Sequence, residues 1–229
     1  MLRYILHVIV LILFSCSAAA TIIGGGVTGY GGGGSFVELS VPFSAPVTGD
    51  SSVGNNTFQN NNLYAFNEDQ NIVISSPLTV DVGPNSLNEV LGTGTTVASH
   101  YVFFDPAGTV RIQGYVDFDA RILGIITSTT RLAATDFLIN NDVNYLNPGL
   151  RGLESGDIVW IDGTMDYRLR LDWTASTPGD YVRVLTERSV LAEVPEPGTV
   201  VMFGLGLLIL GFQISKKRYS GILVRLKNR

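Results

Sequence analysis

The stretch Val110-Arg111-Ile112-Gln113-Gly114-Tyr115-Val116-Asp117-Phe118 decides the fold class. Val110, Ile112, Val116 and Phe118 fall on one side of an extended chain, and Arg111, Gln113, Tyr115 and Asp117 fall on the other. A period of two with one apolar and one polar face predicts a half-buried β-strand. Met165, Tyr167, Leu169, Leu171 and Trp173 alternate in the same way with Asp166, Arg168, Arg170 and Asp172, predicting a second. Working outward, apolar runs at 71–75, 78–82, 96–104, 122–127, 157–161 and 181–186 predict further strands. Asp105-Pro106-Ala107-Gly108, Asp162-Gly163 and Thr177-Pro178-Gly179-Asp180 supply turns between them. A single short helix is expected over 129–138, with Ser128 as N-cap and Leu132, Ala133 and Phe137 toward the core. Eight or so strands with one helix predict a mainly β domain over 36–190. Its expected architecture is an antiparallel β-sandwich of jelly-roll type.

Ahead of that domain, residues 24–34 read Gly-Gly-Gly-Val-Thr-Gly-Tyr-Gly-Gly-Gly-Gly, so 21–35 is expected to be a flexible leader. Gly24-x-Gly26-x-x-Gly29 matches a dinucleotide fingerprint in letters, but no βαβ pattern surrounds it. The polar stretch 50–62 is expected to form a long loop, and Asn55-Asn56-Thr57 within it matches a glycosylation sequon.

The two ends differ from the middle. Residues 1–20 carry one cation, Arg3, then an apolar run from 4 to 14 and the small residues Ser17-Ala18-Ala19-Ala20, the layout of a secretory signal peptide cleaved before Thr21. A permanent anchor and a lipidated Cys16 are the competing readings. The small-residue run opposes the first, and the bulky Phe14 opposes the second. The segment 200–214 is apolar and is followed by Lys216-Lys217-Arg218, so 199–215 is expected to be a transmembrane helix closed by a basic stop. Fifteen residues span about 22 Å, short of the ~30 Å hydrocarbon core. With cations beside both apolar ends, the middle of the chain is placed outside and 219–229 becomes a cytoplasmic tail.

Of the 15 basic side chains, eight lie between Thr21 and Val194, all of them arginine, against 19 acids, a formal charge of −11. Such a domain repels nucleic acid and anionic membrane. Cys16 is the chain's one cysteine, so beyond the signal peptide disulfides, zinc thiolates and cysteine nucleophiles are excluded.

The segment Val194-Pro195-Glu196-Pro197-Gly198, the apolar run behind it and the basic Lys216, Lys217 and Arg218 together resemble the PEP-CTERM sorting signal of Gram-negative bacteria. The resemblance covers 194–218. It implies that the membrane enzyme exosortase is the partner that processes the chain. It also implies passage through the inner membrane and routing to the cell surface or an exopolysaccharide matrix. The extension from Tyr219 to Arg229 departs from signals that end soon after the basic cluster. Three further stretches are Ser99-His100-Tyr101-Val102-Phe103-Phe104-Asp105-Pro106, Ile125-Ile126-Thr127-Ser128-Thr129 and the run from Asn144 to Glu154. They resemble a recurrent ectodomain of PEP-CTERM proteins that has no established biochemical role.

The exported part offers little catalytic chemistry. His100 is its single imidazole and sits among aromatic strand residues, where a structural role is expected. No Gly-x-Ser-x-Gly elbow is present. Asp117 and Asp119 would share a strand face, as a glycosidase pair must, yet any solvated face shows that spacing. Asn140-Asn141-Asp142-Val143-Asn144 offers oxygen ligands for calcium but lacks the EF-hand Gly and Glu. No enzyme activity, cofactor or metal is expected. Trp160, Trp173, Tyr115, Tyr145 and Tyr181 could stack on sugar rings. Alternation puts Trp173 inside and Tyr115 outside, so Tyr115 is the candidate glycan contact. A surface or matrix protein with a structural or adhesive role is the leading expectation, and a carbohydrate-binding module is the alternative.

Overall fold

The computed structural model describes residues 20–188. The expected signal peptide, sorting motif, transmembrane helix, basic stop and tail lie outside the described residues, apart from Ala20. Two sheets form the frame. The first is antiparallel throughout and runs in the order β1 (Ile22–Tyr30), β9 (Val110–Phe118), β13 (Arg168–Ala175), β12 (Ile158–Ile161). The second is mixed and runs β10 (Ile122–Ile126), β14 (Asp180–Thr186), β8 (Thr96–Phe104), β4 (Leu63–Asn67), β2 (Phe36–Glu38). Its β2 lies parallel to β4, and β5 (Ile72–Val73) also pairs with β8. Two small ladders sit apart, β3 (Ser52–Val53) with β11 (Asn144–Tyr145) and β6 (Leu78–Thr79) with β7 (Val90–Leu91). The fold is mainly β, as expected, while the finer jelly-roll expectation is not confirmed by these strand orders.

The inner faces meet as the alternation predicts. Ile112, Val116 and Phe118 of β9 and Leu169, Leu171 and Trp173 of β13 pack against Val102 and Phe104 of β8 and Val182 and Val184 of β14. The far face of the second sheet is buried as well. Tyr64, Phe66, Tyr101, Phe103, Tyr181 and Leu185 are covered there by Val53 of β3 and by Phe58, Ile74, Val80, Leu132 and Leu138 from loops and helical turns. Apart from Thr96, β8 and β14 are therefore buried at every position, Ser99, His100, Asp180, Arg183 and Thr186 included, so neither shows a wet face alternating with a dry one. The expected loop at 50–62 belongs to this cover, with Ser52, Val53, Thr57 and Phe58 buried.

The expected flexible leader is instead β1, nine residues paired with β9 from Ile22↔Phe118 to Tyr30↔Ile112. Glycine is needed there for space. A Cβ on Gly25 would stand 2.6 Å from the Phe36 ring, and one on Gly26 would stand 2.8 Å from the Tyr115 ring. Bare backbone lets those rings lie across the strand. The helix is shorter than expected: α1 (Thr129–Ala134) is followed by a 3-10 turn at Asp136–Leu138. Leu132 and Leu138 are buried, whereas Ala133 and Phe137 face solvent. Ser128 makes no side-chain cap. Asp81 reaches over to accept the Thr127 and Ser128 N–H groups at 2.7 and 2.9 Å, and the Ser128 hydroxyl donates to it at 3.1 Å. The strand expected from Met165 begins at Arg168, because Asp162 holds 162–165 in a turn by accepting the Thr164 N–H at 2.9 Å.

Candidate functional site

The outer face of the first sheet carries its polar set in cross-strand rows. One row runs Gly26, Tyr115, Arg170, Trp160 across all four strands. Tyr115 faces outward and is half-buried, with the Arg168 guanidinium 4.2 Å over its ring. Arg168 also forms a fork to Asp117, at 2.6 and 2.7 Å. Arg170 reaches Asp162 at 2.5 Å, and Trp160 keeps 41% of its surface exposed. A neighbouring row holds Gln113 and Asp172; Asp172 accepts from Gln113 at 2.7 Å and from Arg111 at 2.8 and 2.7 Å. Arg111 in turn lies 4.5 Å over the exposed Tyr30 ring. The result is a shelf of planar side chains held by bidentate pairs. Sequence reading identified Tyr115 but missed the row around it. The alternation of Arg168 and Arg170 contained part of that signal, and only strand order puts Trp160 beside them.

The other candidates are structurally engaged. His100 is fully buried, with Nδ1 2.7 Å from Asn67 Oδ1 and Nε2 3.0 Å from Thr186 Oγ1. Burial pushes its pKa down to about 3, so it is neutral. Asp117 is tied to Arg168, while Asp119 accepts the Thr21 N–H at 2.8 Å. The two acids expected to share a face thus serve separate structural contacts. Asn140 Oδ1 accepts the Asp142 N–H at 2.9 Å, closing a turn where calcium was considered. Among the described residues no group of three or more His, Cys, Asp or Glu is placed to hold a metal ion.

Two buried acids were not anticipated. Asp105 and Asp180 are 0% and 2% exposed, and one carboxylate oxygen of each has no hydrogen-bond partner among the described residues. Burial pushes Asp105 up to about 6. Burial, then the charges of Asp157 and Glu154, pushes Asp180 up to about 8. Glu154 and Asp157 also line a cavity of about 300 Å³ with Val82, Leu87, Leu153 and Ile158. A second buried group joins β14 to the helix. Arg183 binds Glu68 through Nε at 2.6 Å and Nη2 at 3.0 Å, and its Nη1 donates to Thr135 Oγ1 at 2.6 Å and the Leu132 carbonyl at 3.1 Å.

Comparison with known families assigns the C-terminal segment. Residues 193–218 match the PEP-CTERM protein-sorting motif. This chain carries a PEP-CTERM sorting motif. The motif contains the Val194, Pro195, Glu196, Pro197 and Gly198 cluster and ends on Lys216, Lys217 and Arg218. It supports export, anchoring in a membrane and processing by an exosortase. No curated protein and no solved structure matches this chain. Among the described residues no helix is long and apolar enough to cross a membrane.

Proposed function

We propose that this PEP-CTERM protein is a non-catalytic surface or matrix component of a Gram-negative cell, delivered by exosortase and acting through its β-sandwich in a structural or adhesive role. The motif at 193–218 carries the reading. The engagement of His100, Asp117 and Asp119 in structural contacts supports a domain without catalysis. Fractionation with C-terminal mass analysis in cells with and without exosortase is the test. Loss of residues from the C-terminus and release from the membrane are expected only when exosortase is present. Identical C-termini in both strains would refute the assignment.

A second reading rests on the shelf of Tyr115, Arg170 and Trp160, which suits the flat faces and hydroxyls of an exopolysaccharide. Aromatic rings pack on the apolar face of a pyranose, and paired planar groups hydrogen-bond its hydroxyls. On a glycan array the chain is expected to bind neutral or cationic polysaccharide, with binding reduced at least tenfold by Trp160→Ala and by Tyr115→Ala. Binding that survives both substitutions would place the glycan elsewhere.

A further inference from the structure

Thr21 is the residue the signal peptide would leave first in the mature chain, and the fold holds it by every polar group it has. Its N–H donates to Asp119 Oδ1 at 2.8 Å, and its carbonyl accepts the Asp119 N–H at 3.0 Å. The Asn67 side-chain amide donates to its hydroxyl at 3.3 Å, and that hydroxyl donates to the Ile22 carbonyl at 3.3 Å. We propose that Asp119 is the receptor for the α-ammonium group that signal-peptide removal creates on Thr21, so that export processing adds an ion pair which locks β1 onto β9. The inference rests on cleavage between Ala20 and Thr21.

The chemistry balances simply. A signal peptidase hydrolyses the Ala20–Thr21 peptide bond with one water. The water oxygen stays on Ala20 as a carboxylate, and the Thr21 nitrogen leaves as an amine that is protonated at neutral pH. The atom that donated to Asp119 as a neutral amide then donates as a cation, without moving. Hydrogen bonds between ionised partners are about twice as strong as neutral ones. Ala20 is buried against Ala98 and Ala120 before cleavage, and its departure exposes the new charge to water on that side. The neighbouring charges have partners of their own. Asp117 is paired with Arg168. Arg121 lies 3.8 Å from Asp166 and 3.7 Å from Glu187, with Arg188 next in the chain, and His100 is neutral.

The test uses the full chain, exported from a Gram-negative host and purified in detergent. Mass analysis first reads the N-terminus. The rate at which an amine-acylating reagent labels Thr21 is then followed from pH 6 to 10 in the wild type and in Asp119→Asn. Asn keeps a carbonyl oxygen for the N–H and should fold, which circular dichroism checks. A free α-amino group titrates near 7.7–8.0. The wild type is expected to label about tenfold more slowly at pH 8 than Asp119→Asn, with its titration moved upward. A Thr21 start with equal labelling rates in the two proteins overturns the receptor. A start at Ala20 or elsewhere also overturns it, and shows that the cleavage reading failed and not the pairing. Neither result bears on processing at the other end of the chain.

Discussion

Asp180 begins β14 with its side chain turned toward the inter-sheet core, and its raised pKa makes it a pH-dependent load on the fold. The folded value of about 8 lies above the ~3.9 of an unfolded aspartate. Its contribution is therefore fully present below about pH 4 and is lost as pH rises through 8. Asp105, at about 6, acts in the same sense over a narrower window. His100 acts oppositely, since its folded value of about 3 lies below the unfolded ~6.5, so its stability is lost as pH falls through that range. The difference between wild type and Asp180→Asn cancels the other two groups. Chemical denaturation from pH 5 to 9 is expected to show the variant gaining on the wild type as pH rises, by about 4 kcal/mol over that range and levelling off above pH 8. A constant difference across that range would remove Asp180 as the source.

Arg183 decides how the helical cover is attached to the second sheet. It is 0% exposed, neutralises the buried Glu68 and supplies donors to Leu132 and Thr135 at the end of α1. Arg183→Met keeps much of the volume but leaves Glu68 charged and unpaired, and is expected to cost about 3–5 kcal/mol in chemical denaturation. Adding Glu68→Gln should recover part of the loss, because the stranded charge is then gone. Elements of this kind were only partly legible. The sequence predicts β9 at its observed bounds because one face is wet and the other dry. It also predicts β8 at its observed bounds, but from a run with no clear wet face, which does not reveal a second covering layer. Strand β1 was hidden because glycine normally signals flexibility, and its purpose there depends on the rings of Phe36, on another strand, and of Tyr115, about ninety residues away. Ser128 looked like a cap because no local pattern shows that Asp81, about fifty residues earlier, reaches the same N–H groups.

At the level of the molecule, what was readable was the sorting signal. Pro195-Glu196-Pro197 and its basic stop carry that information locally, so a match over 193–218 recovers it. The Tyr115, Arg170 and Trp160 shelf is non-local, since three separate strands must be ordered before the row exists. The same ordering brings both ends of the described domain to one turn. Thr21 bonds to Asp119, and the Glu187 N–H donates to the Arg121 carbonyl at 2.8 Å. Mechanically this matters. A chain held through the residues after Thr186 and gripping something at the far pole is loaded along β14. That strand is flanked by β10 and β8, so the tension pulls across many ladder hydrogen bonds simultaneously, in shear. With force applied at that end alone, β1 at the edge of the other sheet lies off the loaded path, and the load falls on the ladders of β14 with β10 and β8.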